Sequence, residues 1–591
     1  MTELGFPGPG VGGRTASGWA GRLPLLLALG LLLLGSISGA ELPAQYFRIL
    51  QTGMAQVEER LAAEPASDLQ ALEARPGWRH FPSAVLAAAV LFSQPHAANR
   101  RQGDRQLLTV SLKIGDLLAS ELAKGRYATR LDHHRDTYMW LEAFRLLEQD
   151  LGEPRKQLWR RALIETLTPL AAEVAKRQDY PWYQSPYIGT SPNHYSLWSS
   201  TLYLAGKVFG NREWESLGGK VMRRFAVEEQ APDGFWGEHS RAGPTTGYDY
   251  LTASGVALYW EHSRDPAALE ALRRSTDFHK HYTYPDGTPV ETINDRNRYW
   301  PVSMWGHFGF SHFPDGRRYA EFLTSFYRSE RPALESLGRI AQNALYFHEG
   351  PTTSIPQLET RIVHQMRVPA GIRKAGPWVI CLSGLISTSA ATSRFYLDRQ
   401  GHVSIFHEKL GLIVTGANSK RQAELATFWE KIGGQVFHMP LSSRLQMTGE
   451  ENRLSLAYNS FFAVMEVAIP SEKEVALRFH ITPKGRGAES QLNLQLCLKQ
   501  GQILETGAGR KLLVNSARID LPAEEIGGRL RHNGWTLRTD LASRLIWPVF
   551  PHNPYSDAPE TGLERAVATL STPLQAGPQE ISFRLEAGSP P

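Results

Sequence analysis

Four short clusters of polar and aromatic residues lie between His133 and Trp300, and each offers side chains suited to chemistry on a charged, hydroxyl-rich ligand. In Ser191-Pro192-Asn193-His194-Tyr195, a neutral donor and a titratable imidazole sit together ahead of an apolar stripe at helical spacing. Backbone N–H groups at a helix start favour an anion such as a carboxylate, so Asn193 and His194 are candidate catalytic residues. The plainer reading is a helix start capped by Ser191 or Asn193. The second cluster runs from Asp233 through Gly234, Phe235, Trp236, Gly237, Glu238 and His239, then from Gly243 to Tyr250. Its glycines and rings suit a cleft wall, with Trp236, Glu238 and His239 as candidate binding residues. Tyr248 and Tyr250 begin the next helix, where a hydroxyl can move a proton, although packed tyrosines with a satisfied OH are equally common. The third, Thr292 to Trp300, places Arg296, Arg298 and Tyr299 where an acidic sugar and its apolar face could rest; otherwise it is a solvated loop. The fourth, His133-His134-Arg135-Asp136, opens a helix and adds His134 as a binding candidate. Adjacent histidines cannot share one helix face, so a metal pair there is disfavoured.

Farther along, His402 and His407 flank a strand that runs into Glu408. A histidine on a strand is more often structural, and no firm third ligand accompanies the pair. No cofactor is expected, with a structural divalent metal left open. GxSxG, HExxH, phosphate-loop and dinucleotide fingerprints are absent.

The elements that must position these clusters divide by period. From about 41 to 348, apolar residues recur at helical spacing, as in Leu107, Val110, Ile114 and Leu117, or Trp198, Leu202, Ala205 and Phe209. Ten to twelve helices fit, with Pro169 marking a kink inside one of them. No tight repeat supports a regular solenoid. Beyond about 349 the period becomes two: Val475, Leu477, Phe479 and Ile481 alternate with polar neighbours, as do Leu492, Leu494, Leu496 and Leu498. Many short strands argue for an antiparallel sandwich. The switch falls within 340–365.

Composition bounds the rest. The 591 residues exceed one comfortable core, and 42% hydrophobic with 21% charged excludes a disordered chain and a polytopic membrane protein. A net charge of +5 is too small to argue for nucleic acid. Arg14 and Arg22 precede the apolar run Leu25–Leu34, and Ser38-Gly39-Ala40 follows. That order reads as a secretory signal over 1–40, with an uncleaved anchor as the alternative, so a secreted or periplasmic location is expected without stable membrane insertion after its removal. Cys381 and Cys497 are compatible with a disulfide or with two thiols.

Taken in order, a signal, paired helices, Asn193-His194 at a helix start, a DG-x-x-x-E-H loop leading to tyrosines and a closing sandwich resemble the heparinase II/III and alginate-lyase group of polysaccharide lyases. The resemblance implies an α+β multidomain chain: signal 1–40, an α/α toroid catalytic domain 41–348 and an antiparallel β-sandwich domain 349–591. It implies β-elimination on a uronic-acid polysaccharide, an acidic partner, with Asn193 or His194 neutralising the carboxylate. Tyr248 or Tyr250, 54 and 56 residues after His194, would be the acid or base. A residue from the sandwich side, His407 or His402 or none, would complete the site. A glycoside hydrolase on the same architecture needs two carboxylates, for which Asp233, Glu238, Asp249 and Asp295 are available. A glycan-binding protein without turnover is the third alternative.

Overall fold

The computed structural model describes residues 42–63, 80–123, 134–176, 178, 192–237, 243–294, 302–327, 332–386, 397, 401–416, 418–420, 422–485, 488–553 and 561–588. The expected signal, Glu238, His239, Asp295, Arg296, Arg298 and Tyr299 lie outside the described residues, as does the side chain of His134. Among the described residues twelve α-helices come first: α1 Leu42–Ala63, α2 Phe81–Ser93, α3 Arg105–Ala123, α4 His134–Leu147, α5 Glu153–Ala175, α6 Pro192–Phe209, α7 Arg212–Arg224, α8 Thr246–Ser263, α9 Pro266–His281, α10 His307–Phe310, α11 Pro314–Ser325 and α12 Leu334–Tyr346. Pro169 is carried inside α5. The first strand begins at Arg361. Among the described residues no helix is long and apolar enough to cross a membrane.

The chain forms two compact units, and the division falls inside the helical half. The first comprises residues up to 170 with 310–321 and 328–353. Its core is built on α2, buried from Phe81 to Leu91, and on Trp140 and Trp159, whose rings meet edge-on at 6.1 Å. Gly115 is required there, because a Cβ would lie 1.9 Å from the Trp159 ring. A buried carboxylate, Glu142, accepts hydrogen bonds from Tyr346 Oη at 2.6 Å, Tyr138 Oη at 3.3 Å and Arg145 at 2.5 Å, the paired charge that burial demands.

The second unit comprises 171–309, 322–327 and 354–591, and so joins α6 to α9 to all the strands. Side-chain caps start two of its helices: Asn211 accepts from Trp214 N–H ahead of α7, and Asp265 accepts from Ala267 N–H ahead of α9. After α7 the backbone widens into one π turn, Phe225–Glu229.

Two antiparallel sheets follow. One has the order β1-β2-β3-β4-β5-β12 (Glu489–Leu496)-β19 (Val567–Pro573)-β18 (Arg544–Val549)-β15 (Ile519–Leu521), with β6 (Phe428–Ile432) paired to β12 and β7 (Gln435–Phe437) paired to β6. Its first members are β1 Arg361–Gln365, β2 Ala370–Ala375, β3 Trp378–Ser383, β4 Val403–His407 and β5 Gly411–Val414. The other has nine strands and includes β10 Phe461–Val467, β11 Glu474–Pro483 and β20 Gln579–Ala587. Their facing sides share one core, in which Trp378, Ile380 and Ile405 meet Met465, Leu477, Phe479 and Phe583. The outer face of β10 is open, and Phe462 there is half exposed. The strands β2, β3 and β4 are buried along their whole length, because both of their faces are covered. Ile372, Val379, Cys381 and Phe406 on their second face pack against Phe235, Phe278, Tyr282, Tyr284 and Ile293 of the helical segments. That apolar layer holds the C-terminal end of α9 and the loops around it against the first sheet. Cys381 and Cys497 are both free thiols.

Candidate active site

The helices α6 and α8 set the geometry of the site. Gly255 on α8 meets Ser196 on α6 so closely that a Cβ would lie 2.6 Å from its Oγ and 2.8 Å from its carbonyl carbon. Farther along, Tyr203 and Tyr259 meet edge-on at 5.0 Å, and Lys207 Nζ donates to His262 O at 2.7 Å. The contacts advance in the same direction on both helices, so α6 and α8 run parallel and their N-termini lie at one end. Asn193 and His194 open the first, and Tyr248 and Tyr250 open the second.

The two tyrosines are not equivalent. Tyr248 is two turns before Gly255 and shares its face of α8, the face turned to α6. Tyr250 is rotated by about 200° from Tyr248 on a helix of 100° per residue. It stacks on His279 of α9, rings 3.9 Å apart and 25° from parallel, and is fully buried. Between them Asp249, also buried, accepts Trp236 N–H at 2.9 Å and faces His279 Nε2 at 3.1 Å. Burial pushes the Asp249 carboxyl above its ordinary range, and His279 opposes that rise.

Several buried polar atoms here lack a partner, and Asn193 stands out because both of its side-chain atoms do. It is completely buried, and among the described residues neither its Oδ1 nor its Nδ2 has a hydrogen-bond partner. A buried amide that satisfies nothing costs free energy, so its presence calls for an explanation beyond packing. His194 is partly exposed and stacks on Trp198 one turn later, at 5.7 Å.

Other expectations meet different surroundings. Trp236, expected on a cleft wall, is a core residue: its ring stacks on Phe225 at 5.4 Å, and its indole N–H donates to Phe225 O at 3.2 Å. The glycines on either side suggested an open loop, whereas the ring itself is drawn inward by the π turn after α7. Asp233 accepts Arg367 N–H at 2.7 Å and Val368 N–H at 3.2 Å, which pins the β1–β2 turn. His402 is buried, with Nδ1 2.8 Å from Ser383 O and Nε2 3.1 Å from Tyr458 Oη. His407 ends β4, edge-on to Trp378 at 4.6 Å, and its Nδ1 accepts Lys409 N–H at 3.2 Å. Its surroundings are those of a hairpin rim, and burial lowers its pKa.

Two groups carried no local signal in the sequence. Glu291 is buried and accepts from Tyr284 Oη at 3.0 Å, Thr415 Oγ1 at 3.0 Å and Gly416 N–H at 3.2 Å, while Asn418 Nδ2 donates to Asn294 O. These bonds fasten the segment that leads toward Arg296 onto the end of β5. His307 is enclosed between Ser303 O at 2.8 Å and Thr324 Oγ1 at 3.3 Å, and burial pushes its pKa down to about 4. Their partners lie from four to more than 120 positions away, so no short motif announces them.

No protein-family model matches the chain, and no curated protein matches it. Among solved structures, heparinase III aligns with a TM-score of 0.52 at 12% identity, over 87% of this chain and 77% of that one. The chain has the fold of heparinase III. A chondroitin AC lyase from Streptomyces coelicolor A3 aligns over 92% of this chain and 79% of its own, with a TM-score of 0.49 and 12% identity. The heparinase III-like fold is an α+β multidomain architecture, an α/α toroid followed by an antiparallel β-sandwich. Within it, the parallel pair α6 and α8 is the element that brings Asn193 and Tyr248 to one end.

Proposed function

We propose that the chain is a polysaccharide lyase that cleaves a uronic-acid polysaccharide by β-elimination. The observation that carries this reading is the bare, buried carboxamide of Asn193 at the same end of the α6–α8 pair as Tyr248. The C5 proton of a uronate is barely acidic until the charge of the adjacent carboxylate is quenched. Hydrogen bonds from Asn193 Nδ2 and the His194 ring to that carboxylate stabilise the enolate-like state. A base removes the C5 proton, the C4–O bond breaks, the C4–C5 double bond forms, and an acid returns a proton to the departing glycosidic oxygen.

Tyr248 is the better acid–base candidate, since it lies on the face of α8 turned to α6, whereas Tyr250 is stacked on His279. A phenol with an ordinary pKa of about 10 is a poor base at neutral pH. A cationic neighbour lowers that pKa. His194, and Arg296 and Arg298 beyond the segment fastened by Glu291, are the candidates for that charge. The hydrolase alternative loses ground because two of its four carboxylates are committed elsewhere, Asp233 to the β1–β2 turn and Asp249 to Trp236 and His279. An acidic polysaccharide is the proposed partner, and export through the segment 1–40 is the proposed route to it.

The test is a pair of single substitutions read by near-ultraviolet absorbance of the unsaturated product. Tyr248→Phe should lower kcat by about 10²–10⁴-fold, the usual worth of one proton-transfer group. Tyr250→Phe should keep most activity, since its ring contact with His279 survives. Full activity in Tyr248→Phe would sink the assignment.

A further inference from the structure

A second cluster of ligating side chains stands apart from the residues proposed for elimination. Asp277 and His281 are one turn apart at the C-terminal end of α9, and His364 reaches them from β1, the edge strand of its sheet. One ligand atom from each of the three lies within 4.8 Å of the others. The spacing i, i+4 puts Asp277 and His281 on one helix face, which the adjacent His133-His134 pair lacks. Their position in the last turn of α9 adds the negative end of the helix dipole, which favours a cation.

The two imidazoles lie face to face, and one ring must turn out of the stack for both to point a nitrogen at one ion. His281 and His364 stack at 4.0 Å, only 10° from parallel, a contact that two charged rings would oppose. His281 Nδ1 is 2.7 Å from the Asp277 backbone oxygen and 3.5 Å from its carboxylate Oδ1. Lys280 Nζ lies 2.9 Å from Asp277 Oδ1. Lys280 must yield that oxygen, or leave Oδ2 to the ion.

We propose that Asp277, His281 and His364 form a site for a borderline divalent cation of the zinc class, completed by solvent. Two imidazole nitrogens and one carboxylate oxygen are a donor set that suits zinc and leaves a fourth position open. Bound there, the ion ties the edge strand β1 to the end of α9, on the opposite side of α9's chain from its capped start. The role is a staple of the fold, independent of the lyase reading.

The test uses the tag-free full chain, stripped with chelator and titrated with Co²⁺, whose visible bands report tetrahedral nitrogen and oxygen ligation. The expected result is saturation at one equivalent per chain, displacement of the bands by Zn²⁺, and a higher melting temperature with Zn²⁺ than without. His364→Ala and Asp277→Asn should each weaken Co²⁺ binding by at least about tenfold, the lower end of what loss of a ligand or its support costs. Absence of Co²⁺ bands in the unsubstituted chain would overturn the site whatever the variants do. So would unchanged binding in folded His364→Ala.

Discussion

Replacing Asn193 with leucine should make the protein more stable and nearly inactive. The side chains are similar in volume, so the substitution removes the polar atoms without opening a cavity. In the structure both Asn193 polar atoms are buried and make no hydrogen bond among the described residues. A buried amide in that condition costs about 1–3 kcal/mol. Relief of that cost predicts a gain of about 1–3 kcal/mol in Asn193→Leu, visible as a higher apparent melting temperature and a higher denaturant midpoint with an unchanged slope. The same change removes one preorganised donor from the developing charge, for which about 10²–10³-fold in kcat is the usual loss. Thermal and chemical unfolding, paired with the absorbance assay, read both effects from one preparation. A variant that is destabilised yet active would refute the reasoning, since Asn193 would then be a structural residue. Asn193→Asp supplies the control of opposite sign: it buries an unpaired charge, repels a carboxylate, and should lose both stability and activity.

Gly255→Ala should cost about 1–3 kcal/mol from overpacking against Ser196, more than the roughly 1 kcal/mol that alanine adds to a helix, and should lower activity by moving Tyr248 away from Asn193. Denaturant midpoints and kcat check it, and a stabilised, fully active variant would remove the α6–α8 contact from the account. Acid sensitivity should trace in part to His307. Its folded pKa of about 4 lies below the ordinary 6.5, so the unfolded chain takes up the proton first and stability falls as pH drops through that window. The full effect is about 3 kcal/mol at about 1.4 kcal/mol per unit. His307→Gln should flatten the pH profile of unfolding between those values, and an unchanged slope there would contradict it. Glu291→Ala should strand the donors of Tyr284, Thr415 and Gly416 and cost about 3–5 kcal/mol. Unfolding titration checks the size, and a loss below about 1 kcal/mol would show that the network is not what fastens the segment.

What could be read without coordinates follows from periodicity. The stripe Trp198, Leu202, Ala205 and Phe209 lies in α6, a helix buried on most sides between α7 and α8, and the alternation from Val475 to Ile481 lies in β11, which buries one face. The strands β3 and β4 show weaker alternation, since a core covers each of their faces. The helix start at Asn193 and His194 was legible because such a start has a local signature. The choice between Tyr248 and Tyr250 was not, because it depends on which face of α8 meets Ser196. Asp249 with His279, Glu291 with Thr415, and His281 with His364 were hidden for one reason: each pair is joined by the fold across a long stretch of chain. Trp236 illustrates the reverse error, in which glycine-rich surroundings look open while the ring packs against a π turn that no sequence pattern revealed.

The most direct test of the account is incubation of the purified chain with alginate, heparan, chondroitin, hyaluronan and ulvan, following reducing ends and near-ultraviolet absorbance together. The account predicts that, on at least one uronate polymer, each new reducing end appears with one new C4–C5 double bond. Reducing ends without that absorbance would mean hydrolysis, and binding without either signal would mean a protein that holds acidic glycans and does not cut them.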